Sequence, residues 1–167
     1  MSAPKNLEDC YTHELADHWS ANEQMGAILP EMAEAATDET LKKRLSDAAE
    51  HIKQNTAQVK ALLDDCGVHG KEHCKGMEGL VAEARKHALD AGIEDGAVRD
   101  AVLIAQYQRM CHYGICGFGT AKAFAQAIGK QDHVDKLDEL TSSIYDTDEN
   151  FTAIATSGVN EDALASA

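Results

Sequence analysis

The chain has 167 residues, enough for one domain around one core, and its 29 Asp and Glu against 15 Lys and Arg give a net charge of −14. A surface of that sign repels phosphate backbones and anionic headgroups, so nucleic acid and membranes are not expected partners. With 44% hydrophobic residues, 26% charged residues and two prolines, this is the composition of a folded, helix-forming chain.

The first helical pattern runs over residues 6–36. Along it Tyr11, Leu15, His18, Asn22, Met25, Leu29, Met32 and Ala36 recur at spacings of four and three, which predicts one continuous inward stripe. Pro30 falls inside and is expected to kink the helix or loosen one hydrogen bond. A second pattern starts after the capping pair Thr37-Asp38 and stops at Gly67, with Leu41, Leu45, Ala48, Ile52, Asn55, Val59, Leu62 and Cys66 inward. So short a connection predicts antiparallel neighbours.

Residues 67–94 carry five glycines and read as a crossover with one short helix over 80–89. A third long pattern follows Asp95 and reaches Ile128, with Ala101, Ile104, Gln108, Cys111, Ile115, Phe118 and Ala125 inward. A fourth begins near Asp132 and ends before Gly158, with Val134, Leu137, Thr141, Ile144, Asp148, Phe151 and Ala155 inward. Nothing reads as a strand. Two helices, a long crossover and two helices predict an all-α, ferritin-like four-helix bundle over residues 1–158, followed by a flexible tail over 159–167.

No apolar run approaches the ~18 residues needed to cross a bilayer. The N-terminal stretch lacks a basic flank followed by an apolar segment, which predicts a cytoplasmic protein. Five cysteines, an odd number, argue against a disulfide framework there.

The anomaly is polar residues near the middle of each stripe: His18 and Asn22, then His51, Gln54 and Asn55, then Gln108, Cys111 and His112, then Ser143 and Asp148. An apolar bundle gives such residues partners, so they are expected to meet in one central layer. Bundles of this architecture build two-metal carboxylate sites there, yet no long helix offers Asp or Glu three residues before a histidine. Two readings stay open. Asn22, Gln54, Gln108 and Ser143 can satisfy one another in a neutral layer, or His51 and Cys111 can hold a single zinc or copper(I) ion. A second cluster, Cys66 and His69 with His73 and Cys74, has metal-ligand chemistry but no recognised zinc spacing, and Cys10 and His13 are expected at the same bundle end. Its alternative is a capped helix end with a buried thiol.

Several stretches carry a family resemblance: Cys74-Lys75-Gly76-Met77-Glu78-Gly79-Leu80 with Glu83, Val98-Arg99-Asp100-Ala101 with Leu103-Ile104-Ala105, His112-Tyr113, Gly119-Thr120, Leu29-Pro30 and Asp148. In these the chain resembles the YciF-type ferritin-like proteins of bacteria, which are associated with stress responses. The resemblance implies a bundle, usually dimeric, with a di-metal centre and no established reaction. Where that family has Ala-Glu in the first helix, this chain has Ala21-Asn22. Its His-x-x-Glu becomes His51 with Gln54, its Glu-His-Tyr-Glu becomes Cys111-His112-Tyr113-Gly114, and its Glu-Glu pair becomes Ser143-Ile144. Of the ligand positions only His51 keeps its residue. The reading is therefore a non-catalytic, homodimeric, stress-associated protein with a degenerate metal site, no catalytic residues and no cofactor. Its protein partner is unknown. A metal-binding or redox protein built on His51 and Cys111 is the alternative, and a di-iron oxidoreductase ranks last.

Overall fold

The computed structural model describes residues 3–70 and 72–165, and among them every regular element is helical. Helix α1 spans Leu7–Ala35, α2 Glu39–Asp65, α3 Lys75–Ala84, α4 Gly96–Ala127, α5 Gln131–Ile154 and α6 Asn160–Ala165. The long helices α1, α2, α4 and α5 form the ferritin-like bundle, with α3 in the crossover against α1 and α4.

Local chemistry sets the ends. The Asn6 side chain accepts the Asp9 N–H at 2.8 Å, Asp38 accepts from Leu41 at 2.7 Å, and Asp95 accepts from Val98 at 2.9 Å. Gly67 ends α2 in the left-handed region (φ 71°), which lets Val68 N–H reach back to the Leu63 carbonyl. Gly129 stops α4 in the same way (φ 76°), with Lys130 N–H on the Ala125 carbonyl. Helix α1 runs unbroken through Pro30 to Ala35, so the proline costs at most the bond it cannot donate.

The expected stripe of α1 is buried at every position, and that of α2 at every position except the half-buried Cys66. Helix α4 differs. It touches α1, α3, α5 and α6, so most of its surface is covered, including Leu103, Gln106, Tyr107, Met110, Gly117 and Ala121, and only a narrow strip through Ala105, Arg109, His112 and Cys116 stays exposed. The stripe expected from one helical period marks only one edge of that buried surface.

The Val98-Arg99-Asp100-Ala101 stretch has a structural task. Asp100, 1% exposed, accepts the Thr37 N–H at 2.9 Å, the Thr37 hydroxyl at 2.7 Å and the Asp38 N–H at 2.7 Å. Arg99 Nε donates to the Ala35 carbonyl at 3.2 Å. Together they fasten the α1–α2 connection to the start of α4.

Two expectations need correction. The crossover helix begins at Lys75, five residues before 80, because the Cys74 thiol caps it by accepting the Met77 N–H at 3.3 Å. It then ends in a π-turn, Arg85–Leu89. The chain after Gly158 is not a loose tail either: α5 continues through a second π-turn, Ala155–Val159, into α6. Val159 is buried and α6 packs on α4. Residues 166 and 167 of that expected tail lie outside the described residues.

Candidate functional site

Helices α2 and α5 barely touch, although each packs firmly on its other neighbour. A cleft of about 240 Å³ opens between them, lined by His51, Gln54, Asn55, Gln58, Glu139, Leu140 and Ser143. Beneath it lies a nearly closed cavity of about 20 Å³ that shares His51, Asn55 and Ser143 with the cleft and is completed by Tyr107, Cys111, Gly114, Ile144 and Thr147. That is room for about one water molecule.

The structure brings only part of the expected central layer together. His51 and Cys111 do line one cavity, with His51 exposed at its rim and Cys111, 2% exposed, inside. Gly114 is also there. A Cβ at this position would meet Ile144 Cδ1 at 3.3 Å, so Ile144 occupies the space a longer side chain would need. Gln54 and Ser143 are exposed, because the parted helices leave their flanks in solvent. Asn22 is buried but lines a different groove, between α1 and α2. The mutually satisfied amide layer does not form. The Gln108 amide donates to the Asp148 carbonyl and the Thr152 hydroxyl, and Asn22 Nδ2 has no hydrogen-bond partner among the described residues.

A di-metal centre needs several carboxylates to neutralise two divalent ions. The cavity offers an imidazole, a thiol, an amide, hydroxyls and a phenol, and no carboxylate lines it. Among the described residues no three His, Cys, Asp or Glu side chains are grouped to hold an ion. The residues present do not fit the di-metal group. Asp148 stands nearby, with Oδ2 3.3 Å from His112 Nε2 and Oδ1 buried without a partner among the described residues.

The second cluster is dispersed, because each member turns to its own neighbour. His69 pairs with Asp64 at 3.1 Å and His73 with Glu78 at 3.0 Å, both at the surface. Cys66 faces a separate cavity with Tyr11 and Lys130. Cys74 is buried, and its thiol donates to Asp17 Oδ2 at 3.1 Å beside the Tyr113 hydroxyl, which donates to the same oxygen at 2.7 Å. The capped helix end with a buried thiol is what forms at Cys74.

Two arrangements were not anticipated. Tyr11 OH, His133 and Asp65 form a chain at one bundle end, with 2.7 Å from Tyr11 to His133 Nδ1 and 2.9 Å from His133 Nε2 to Asp65. Burial pushes the Tyr11 phenol above its ordinary range, while His133 and Lys130 hold the Asp65 carboxyl below its own. An inward tyrosine at a helix start needs a hydroxyl partner, and that requirement was the available signal. The other is His18, 1% exposed, whose ring lies across Gly117 between Phe118 (4.8 Å) and Tyr113 (5.5 Å).

The thiols give a direct check on this geometry. Burial pushes Cys111 up to about 12 and raises Cys74 as well, whereas Cys116 is exposed. Iodoacetamide at about pH 8 should label Cys116 in the folded protein and reach Cys111 and Cys74 only with denaturant. Raising the pH to about 9 should leave Cys111 in the thiol form. Peptide mass mapping reads the order, and early labelling of Cys111 would contradict the buried cavity.

A family model described as a domain of unknown function, DUF892, matches residues 6–164. Protein YciF of Escherichia coli strain K12 is 30% identical over 166 residues, covering 95% of this chain and 96% of that protein. The crystal structure of the E. coli stress protein YciF superposes with a TM-score of 0.88 at 29% identity, over 94% of this chain and 99% of that one. YcfI from Rhodopseudomonas palustris gives 0.85 at 27% identity, over 91% and 97%. Among the described residues no helix is long and apolar enough to cross a membrane. In sequence and in fold, over nearly its full length, this chain is similar to YciF, and it belongs to the DUF892 family.

Proposed function

We propose that this protein is a non-catalytic, stress-associated ferritin-like protein whose di-metal site has degenerated, acting in a structural or binding role as a cytoplasmic homodimer. The single observation behind this reading is the donor set of the central cavity: His51, Asn55, Tyr107, Cys111, Ser143 and Thr147 with no carboxylate, in a volume of about 20 Å³. Two relatives support the setting, one described as a stress protein and the other as a candidate structural protein. Iron supplied during expression should leave well under one ion per chain after purification, with no iron-dependent oxidase activity. Two irons per chain, retained through gel filtration, would overturn the reading.

One observation favours a second reading. His51 and Cys111 share the cavity, so a single soft ion, copper(I) or zinc, can be held between imidazole and thiolate. Copper(I) titration of wild type and Cys111→Ser separates the two readings. A stoichiometric site lost in the variant supports the ion, and equal weak uptake by both supports the degenerate centre.

A further inference from the structure

The Tyr11–His133–Asp65 chain shares no lining residue with the central cavity, and its partners fix where its protons sit. Asp65 is ionised, because His133 and Lys130 both favour its charged form, the Lys130 Nζ from 3.7 Å. A carboxylate only accepts, so His133 Nε2, 2.9 Å away, carries the ring proton. In the neutral imidazole Nδ1 is then a bare lone pair, and the Tyr11 hydroxyl donates to it at 2.7 Å. Asp65 is 65% exposed, so the chain ends at solvent.

A buried phenol that lost an electron and kept its proton would become an uncompensated cation in an apolar surrounding. Tyr11, 0% exposed, has a base within hydrogen-bond reach to take that proton. The other three tyrosines are served less well. Tyr113 donates to the Asp17 carboxylate, a weaker base than imidazole by about two to three pKa units. Tyr107 stands beside the Cys111 thiol, and Tyr145 is half exposed to water. We infer that Tyr11 is a redox-active tyrosine that gives one electron to a neutral or cationic oxidant at the bundle end. The electron reduces the oxidant by one unit, the phenolic O–H bond breaks, and its proton passes to His133 Nδ1. The products are a neutral tyrosyl radical and an imidazolium paired with the Asp65 carboxylate. Tyr11 lines a cavity of about 240 Å³ together with the exposed Glu8, so an oxidant comes close without touching the hydroxyl. Glu8 and Asp65 outnumber Lys130 there, which disfavours an anionic oxidant. The inference is independent of the reading of the central cavity.

Photogenerated tris(bipyridine)ruthenium(III) is a cationic one-electron oxidant that tests this on the full chain. At about pH 8 an ordinary imidazole is neutral, and rapid freeze-quench EPR of the wild type should show a neutral tyrosyl radical. Tyr11→Phe should remove most of that signal. His133→Phe keeps the phenol without its base and should lower the yield at least about tenfold, since water is a far weaker base than imidazole. Asp65→Asn still accepts from His133 Nε2 but leaves the imidazolium without its counter-charge, and should slow radical formation several-fold. If His133→Phe fails to fold, the Asp65→Asn comparison still decides. No tyrosyl signal in the wild type, an undiminished signal in Tyr11→Phe, or equal rates in wild type and Asp65→Asn would overturn the inference.

Discussion

Gly117→Ala should be the most damaging single-methyl change in the bundle. A Cβ at residue 117 would lie 1.2 Å from His18 Nε2, 2.0 Å from Cε1 and 2.5 Å from Cδ2. The imidazole cannot swing aside, because Phe118 lies against it and the Tyr113 ring meets it edge-on. Helix α4 must then move off α1 or the ring must leave the core, and the expected cost is about 3–5 kcal/mol, above ordinary overpacking. Against a total of about 5–15 kcal/mol that is a large fraction. Urea unfolding measures it. Adding His18→Ala should recover part of the loss, because the alanine leaves room for the new methyl, and a coupling of about 1–3 kcal/mol would report the contact. Gly117→Ala within about 1 kcal/mol of wild type would show that the ring does not lie there.

Asp100→Ala should cost on the order of 3–4 kcal/mol. One buried carboxylate satisfies two backbone N–H groups and a hydroxyl in the α1–α2 connection, and bonds to a charged acceptor are worth about 1.5–3 kcal/mol each before non-additivity. Its removal leaves Thr37 and Asp38 donors without an acceptor in a part-buried turn. Hydrogen exchange adds a local readout: the Thr37 and Asp38 amides should be protected in the wild type and exchange early in the variant. Asp100→Asn keeps one acceptor oxygen and should fall between the two. A variant as stable as wild type would mean that water replaces the carboxylate at no cost.

Helices α1 and α2 were legible because each buries one face, and a single-faced helix writes its burial into the sequence at a period near 3.6. Helix α4 was legible only in part, since contact with four other helices widens its buried surface well beyond one stripe and leaves only a narrow exposed strip, part of it alanine and cysteine rather than charged. The site was harder for a different reason. A stripe shows that a residue faces a neighbouring helix, but not that the helix is close. Gln54 and Ser143 were placed inward on α2 and α5, and the parting of those helices left both in solvent. Cys111 and Gly114 sit on α4, deep among its neighbours, and both reached the cavity. The Cys66 to Cys74 spacing suggested shared ligation, but side-chain direction through a glycine-rich crossover is not written in spacing. The carboxylates Asp64, Glu78 and Asp17 claimed three of the four groups instead.

The two π-turns, Arg85–Leu89 and Ala155–Val159, have a consequence for how this chain compares in length with its relatives. A π-turn closes its hydrogen bonds one residue later than an α-turn, so it absorbs an extra residue without ending the helix. Removing one residue from the second turn would return it to α geometry and rotate everything beyond it by about 100°. Val159 would leave the core, and α6 would present a different side to α4. Single-residue gaps between family members are thus expected inside these helices as well as in the crossover, and an alignment that forces such gaps into loops would misplace every outward-facing side chain after residue 155.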